Sequence, residues 1–164
     1  MKKDSANKSE KPGERLMIDI SSVKSAHRKK QTKKFWLLVV DQATNMKWSF
    51  FLKKKDQQVG VIIDLVKNLR KLKPRTARYI RCDNAGENKS LEKQMQKEGM
   101  GTTFEYTPRH TPQQNGKVER NFATLYGRMR AMMKSAALNS TERAELWTEA
   151  ASTATKLDNI LMDE

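Results

Sequence analysis

FWLLVVDQATNMKWSFFLKKKDQQVGVIIDLVKNLRKLK, residues Phe35–Lys73, contains the change of period that decides the fold. It opens with FWLLVVD, a continuous apolar run of strand length that ends at Asp41. Turn residues QATNM follow, and KWSFFLKK (Lys47–Lys54) reads as a second, less regular strand. The pair predicts a hairpin turning at Gln42–Asn45. From Asp56 to Lys73 the spacing becomes helical, with Val59, Ile62, Ile63, Val66, Leu69 and Leu72 on one face and Asp56 placed to cap the start. Pro74 stands where that helix has to stop.

Working outward, Arg15–Val23 contains the apolar stretch LMIDI, a first strand with Asp19 inside it. Residues 1–14, polar and rich in Lys, read as a disordered basic leader, leaving 15–164 as the domain. SSVKSAHRKKQTKK is a polar, basic turn or loop. Downstream, ARYIRC (Ala77–Cys82) is a fourth strand broken by Asp83-Asn84-Ala85-Gly86, SLEKQMQKEG a short helix closed by Gly99, and TTFEYT a fifth strand. PRHTPQQNG is a loop. Two longer helices finish the chain: Asn115 to about Ala136, striped with Val118, Phe122, Leu125, Met129, Met132 and Met133, and one carrying Leu146, Trp147, Ala150, Ala154, Leu157 and Leu161. Ser140 or Thr141 is placed to cap the latter. Three strands in succession, then strands alternating with helices, predict an α/β domain with a mixed five-stranded sheet flanked by helices. The ribonuclease-H-like fold has that order.

The bulk numbers narrow the function. Its 164 residues suffice for one domain with a real core. The single cysteine, Cys82, excludes a disulfide framework and any cysteine-rich zinc module, and His27 and His110 are too few and too far apart for a zinc site. No apolar run is long enough to span a bilayer, and no secretory signal or other address is evident. The net charge of +14 points first to a polyanion, with nucleic acid the commonest.

Three acidic residues carry the chemistry. Asp19 interrupts an apolar strand, where an unpaired buried carboxylate is costly unless it faces solvent. Asp83 directly follows a strand, where open α/β sheets collect ligand-binding residues, although Asp-Asn-x-Gly is also good turn and cap chemistry. Glu119 sits at the edge of the apolar stripe of its helix, with Tyr126 and Arg130 projecting within about 20° of it; a solvated glutamate is the plain alternative. Together they offer hard oxygen ligands suited to Mg²⁺ or Mn²⁺. Phosphoryl transfer at a DNA backbone needs two such cations about 3.5–4 Å apart, one on the attacking and one on the leaving oxygen. No Ser/His/Asp or Cys/His grouping competes. Asp41, ending a strand at the hairpin turn, is the rival to Asp19 and reads as a turn aspartate.

With 35 residues between Asp83 and Glu119, the chain resembles the D,D(35)E integrase cores of retroviruses and retrotransposons, and in particular those of copia-type LTR retrotransposons. GERLMIDISSV resembles their first catalytic strand, IRCDNAGEN their second-aspartate segment (R-x-D-N-G-G-E), and TPQQNGKVERN their T-P-x-Q-N-G-x-x-E-R loop and helix. Ala85 stands where the family commonly has a glycine, and Lys117 occupies a variable position. The resemblance implies a polynucleotidyl transferase acting in DNA integration. Water attacks the end of the element DNA, and the freed 3′-hydroxyl attacks target DNA. It also implies that Asp19, Asp83 and Glu119 are the catalytic, metal-binding residues for two ions, that the partners are element and target DNA, that the chain self-associates, and that it works in the nucleus. The family carries a His/Cys zinc module before the core and a DNA-binding extension after it. Neither is in this sequence, so weak specific end-processing is expected of the chain alone.

Around that site, Gln113, Gln114 and Asn115 are candidate hydrogen-bond donors to DNA, Asn115 being equally placed as a helix N-cap, and Lys117, Arg120 and Arg130 are candidate phosphate contacts. Tyr106–Gly116 is expected to order on DNA, and His110 lies within it. Trp36, Trp48 and Trp147 read as core or edge packing, and Met129, Met132 and Met133 as core or oligomer-interface residues. An inactive, DNA-binding remnant of an integrase core is the alternative function, and a stand-alone nuclease a weaker one.

Overall fold

The computed structural model describes residues 11–24, 32–108 and 112–161, and the side chains of 112–115 lie outside that description. Five strands, β1 (Arg15–Ser22), β2 (Phe35–Asp41), β3 (Lys47–Leu52), β4 (Tyr79–Asp83) and β5 (Thr103–Thr107), form one sheet in the order β3-β2-β1-β4-β5. The first three are antiparallel neighbours, and β1, β4 and β5 run parallel. Four helices cover the sheet: α1 (Gln58–Leu72), α2 (Gly86–Lys97), α3 (Pro112–Ser135) and α4 (Ser140–Ile160). This is the mixed sheet and ribonuclease-H-like order expected from the pattern of strands and helices.

The apolar run of β2 is continuous because both of its faces are covered. Leu37 and Val39 join Leu16, Ile18, Ile80 and Cys82 beneath α1 and α2. Trp36, Leu38 and Val40 join Met17 beneath α3 and α4, against Val118, Phe122, Leu125, Met129 and Trp147. Trp36, Trp48 and the methionines of α3 pack in these clusters or against them, as expected. Strand alternation therefore sorts residues cleanly: on β1, Met17 faces the α3/α4 layer, and so does every second residue from it.

Local boundaries differ from expectation for identifiable reasons. A 3₁₀ turn, Lys55–Gln57, precedes α1, and the Gln57 side chain accepts from the N–H groups of Lys53 and Lys54; Asp56 lies inside that turn and is not the cap. The cap of α4 is Asn139, which accepts from the N–H groups of Thr141 and Glu142 while Glu142 accepts from the Asn139 N–H. Neither Ser140 nor Thr141 has that place. The helix α3 begins at Pro112, so Asn115 sits inside it and is not its N-cap. The expected loop Tyr106–Gly116 shortens accordingly, with Tyr106 and Thr107 in β5, while His110 lies outside the described residues. Residues 11–14, read as leader, are tied to the sheet: the Gly13 carbonyl accepts from the Ala77 N–H and the Glu14 carbonyl from the Tyr79 N–H.

Two polar latches hold the frame that carries the site. Lys47, with its side chain fully buried, meets Asp158 at 2.6 Å, and Arg128 meets the other oxygen of Asp158 at 2.8 Å. Asn159 accepts from the Lys47 N–H and donates to its carbonyl, so α4 is locked onto edge strand β3. At the same hairpin end of β2, Asp41 accepts from the Gly13 N–H at 3.0 Å and the Thr44 hydroxyl at 2.6 Å.

Candidate active site

The parallel register aligns Leu16 with Ile80 and Met17 with Arg81. Counting on from there, Asp19 and Asp83 stand at the same level, at the carboxyl ends of adjacent strands. Both share the face of Met17 and Arg81, which is the face covered by α3. Tyr126 donates its hydroxyl to Ser21 Oγ at 3.2 Å, so α3 runs along β1, and Glu119 lies on the helix two turns earlier. Asp19 lies within electrostatic reach of the other two carboxylates. Burial pushes the Asp19 carboxyl up to about 6, and the negative charges of Asp83 and Glu119 push it the same way. The N–H of Ile20, which donates to Asp19 Oδ1 at 2.9 Å, and the more distant charge of Lys55 pull it back only in part.

Asp83 is positioned by a buried relay. Asn88 Nδ2 donates to Asp83 Oδ1 at 2.6 Å and to the Asp83 carbonyl at 3.2 Å. Gln58 Nε2 in turn donates to Asn88 Oδ1 at 2.6 Å. Asn88 is 5% and Gln58 1% exposed, so neither amide has water as an alternative partner. The first turns of α1 and α2 thereby fix one Asp83 oxygen, and that oxygen also accepts from the Ala85 N–H at 3.2 Å. The turn chemistry read as an alternative for Asp83 is thus present as well. Glu119 is exposed.

Oxygen donors of this kind match a hard divalent cation. Among the described residues, no three His, Cys, Asp or Glu side chains are close enough together to enclose an ion as they stand. The donor set fits Mg²⁺ or Mn²⁺ in chemistry.

Asp41 separates from this group. It is 2% exposed, sits at the opposite end of β2, and spends its oxygens on Gly13 and Thr44. It is a turn aspartate.

The predicted nucleic-acid contacts scatter. Lys117 donates its ammonium to the Gln42 carbonyl at the hairpin turn and does not reach toward the carboxylates. Two residues from Glu119 is about 200° around the helix, which accounts for the difference. Asn121, one turn on from Lys117, meets the same hairpin through Asn45 Oδ1. Arg120 is exposed. Arg130 is exposed and lies over the Tyr126 ring at 5.6 Å. The side chains of Gln113, Gln114 and Asn115 fall outside the described residues.

Sequence reasoning missed Gln58 and Asn88, together with a third feature on the same face. Glu105 accepts from both Arg15 and Arg81, at 2.9 and 3.0 Å, so these two nearly buried guanidinium groups are held within the sheet by a shared carboxylate. The one available signal was Asn88 itself, a polar residue in helical step with buried Leu91 and Met95.

No family model matches the chain. Over 126 residues, 77% of the chain, it is 32% identical to the retrovirus-related Pol polyprotein from transposon TNT 1-94 of Nicotiana tabacum; the chain spans only 9% of that polyprotein. Among solved structures, a chain of the simian T-cell lymphotropic virus intasome in complex with the PP2A regulatory subunit B56 gamma superposes with a TM-score of 0.66, at 15% identity, covering 88% of this chain and 49% of that one. The HTLV-2 integrase catalytic core domain, in its magnesium complex, superposes with a TM-score of 0.55 at 15% identity, covering 85% of this chain and 84% of that one. The catalytic core domain of BIV integrase does so with 0.55 at 17% identity, covering 85% and 81%.

Proposed function

We propose that this chain, a relative of a retrotransposon Pol polyprotein with the fold of a retroviral integrase catalytic core, is the catalytic core of a DNA integrase and joins DNA by metal-dependent polynucleotidyl transfer. The observation that carries this reading is the placement of Asp19 and Asp83 at one level of adjacent parallel strands, on the face that α3, the helix of Glu119, covers. A structural role for them is disfavoured, because burying Asp19 beside two like charges opposes folding.

In this reading Asp19 would serve both cations, Asp83 one and Glu119 the other. Bound there, Mg²⁺ or Mn²⁺ would supply activation of the attacking oxygen and stabilisation of the leaving one. Asn88 holds the Asp83 carboxylate in orientation, and the Ile20 N–H does the same for Asp19. The exposed edge of α3, with Arg120 and Arg130, binds the phosphate backbone, as Gln113, Gln114 and Asn115 do at its start. Element ends and target DNA are the substrates, self-association is part of the working form, and the reaction belongs in the nucleus. The magnesium found with the HTLV-2 core supports this choice of cofactor. No helix among the described residues is long and apolar enough to cross a membrane.

The test is DNA joining by the purified chain with oligonucleotide ends and a plasmid target, in Mg²⁺ and in Mn²⁺. Joined products that require metal, and that disappear separately in Asp19→Asn, Asp83→Asn and Glu119→Gln, are expected. Salt-sensitive DNA binding with no metal-dependent product in either ion favours the non-catalytic, DNA-binding alternative, and cleavage without joining favours a nuclease.

A further inference from the structure

Beyond the carboxylates, the same face of the molecule carries a groove of about 530 Å³, bounded by the end of β1 and by α3 and α4. Its floor is apolar, formed by Val23, Met129, Met133, Ala144 and Trp147, and its rim is cationic, with Lys24, Arg130 and Arg143. Ser21, two residues past Asp19 and so about 7 Å along the strand, joins Tyr126 at the near end. Tyr126 and Arg130 lie seven and eleven residues after Glu119, on the same side of α3, about 10 and 16 Å farther along it. The groove therefore begins where the acidic site ends.

The three rim cations are uncommitted. Among the described residues none of them is ion-paired; Arg143 gives only its Nε to the Leu138 carbonyl, and Arg130 rests on the Tyr126 ring. The N–H groups of Thr141 and Glu142 at the start of α4 are already taken by Asn139, so an anion in the groove has to be met by these side chains and not by that helix end. A cationic rim over an apolar floor matches a ligand with an anionic part and a flat apolar part. The volume lies within the roughly 300–1,000 Å³ range of small-ligand sites. A duplex presents phosphates and sugars outward and keeps its bases stacked, so it can satisfy the rim and leave the floor bare. An unpaired nucleotide satisfies both.

We propose that this groove is a subsite for an unpaired DNA nucleotide located about one or two phosphates from the reacting one, with its base against the Met133–Trp147 floor and its phosphate on Arg130 and Arg143. The subsite rests on the DNA-joining reading for its choice of polymer, and its test is independent of chemistry. Binding of the chain to a blunt duplex, and to the same duplex with a short single-stranded overhang, is measured in calcium or without divalent metal. The parent chain is expected to prefer the overhang about fivefold or more, in the range that base stacking on a protein surface provides. Arg130→Gln and Arg143→Gln, both at exposed positions, are expected to remove that preference and to lower the salt slope for the overhang DNA by about one each. Their melting temperatures report whether folding is intact. Equal binding of the two DNAs by the parent, or a parallel loss on both DNAs in Arg143→Gln, overturns the subsite. Asp19→Asn is the control that separates the two readings: loss of joining with the overhang preference kept leaves the groove assignment standing, and a parent chain that joins DNA with no overhang preference leaves only the catalytic reading.

Discussion

Asn88 donates its side-chain amide to Asp83 at 2.6 Å, from a helix that starts only three residues after Asp83. That single contact links the buried interior to an exposed carboxylate, because Gln58 on α1 holds the other end of the Asn88 amide. Residues behind metal ligands commonly change metal affinity or activity 10- to 100-fold when lost (about that range). Asn88→Ala is therefore expected to raise the Mn²⁺ concentration needed for half-maximal joining by about tenfold or more, with a smaller effect at saturating metal. Loss of stability alone lowers activity at every metal concentration and leaves the half-point in place, so a metal titration distinguishes the two. Gln58→Ala is expected to act in the same direction and more weakly.

The raised Asp19 carboxyl makes a pH prediction. A carboxyl whose folded value of about 6 exceeds its ordinary value of 3.8 favours folding fully only below the ordinary value, and that contribution is lost as the pH rises through the folded one. Asp19→Asn is therefore expected to be more stable than the parent at pH 7.5, by at most about 3 kcal/mol, and equal to it near pH 4. Thermal melts at the two pH values measure this. Millimolar Mn²⁺ should raise the parent melting temperature at pH 7.5 and leave that of Asp19→Asn unchanged, since a ligand stabilises only the state that binds it.

Asp41 gives the opposite pattern. Its oxygens satisfy the Gly13 N–H and the Thr44 hydroxyl in a nearly closed site. Asp41→Ala leaves those donors unmet, at a cost of about 1–3 kcal/mol, and should lower the melting temperature without altering the metal response. A change in the Mn²⁺ half-point in this variant, with Asp19→Asn unaffected, reverses the assignment of the two aspartates.

The Lys47–Asp158 pair is a stability device remote from the carboxylates. With the lysine side chain fully buried, Lys47→Met strands a largely buried aspartate against Arg128 alone and should cost about 3 kcal/mol. The double variant Lys47→Met, Asp158→Leu should recover much of that, because an apolar pair needs no charge compensation. Urea titrations of the single and double variants check it.

How much of this was legible in the sequence depends on how local the cause is. FWLLVV and the spacing of Val59 to Leu72 are set by burial on either side of an element, so strand and helix were readable, and so was the mixed sheet. The cap of α4 was read at Ser140 or Thr141 because both residue types are good caps; the Asn139–Glu142 pair, with its reciprocal bonds, outweighs them. Asp19, Asp83 and Glu119 were legible as wording in three separate segments, and the fold brings them to one face. Gln58 and Asn88 were not, because their role exists only where α1 and α2 approach one another. Lys117 misled for a related reason. Nearness to Glu119 along the chain is not nearness around a helix, and its ammonium belongs to the hairpin turn.

The central claim is that Asp19, Asp83 and Glu119 form one metal site, and a crystal structure of the chain grown with Mn²⁺ tests it most directly through anomalous scattering. The account predicts manganese peaks within coordination distance of Asp19 and of at least one of Asp83 and Glu119, with the Asn88 amide still on Asp83. Manganese bound elsewhere, with the three carboxylates apart and metal-free at saturating ion, contradicts it.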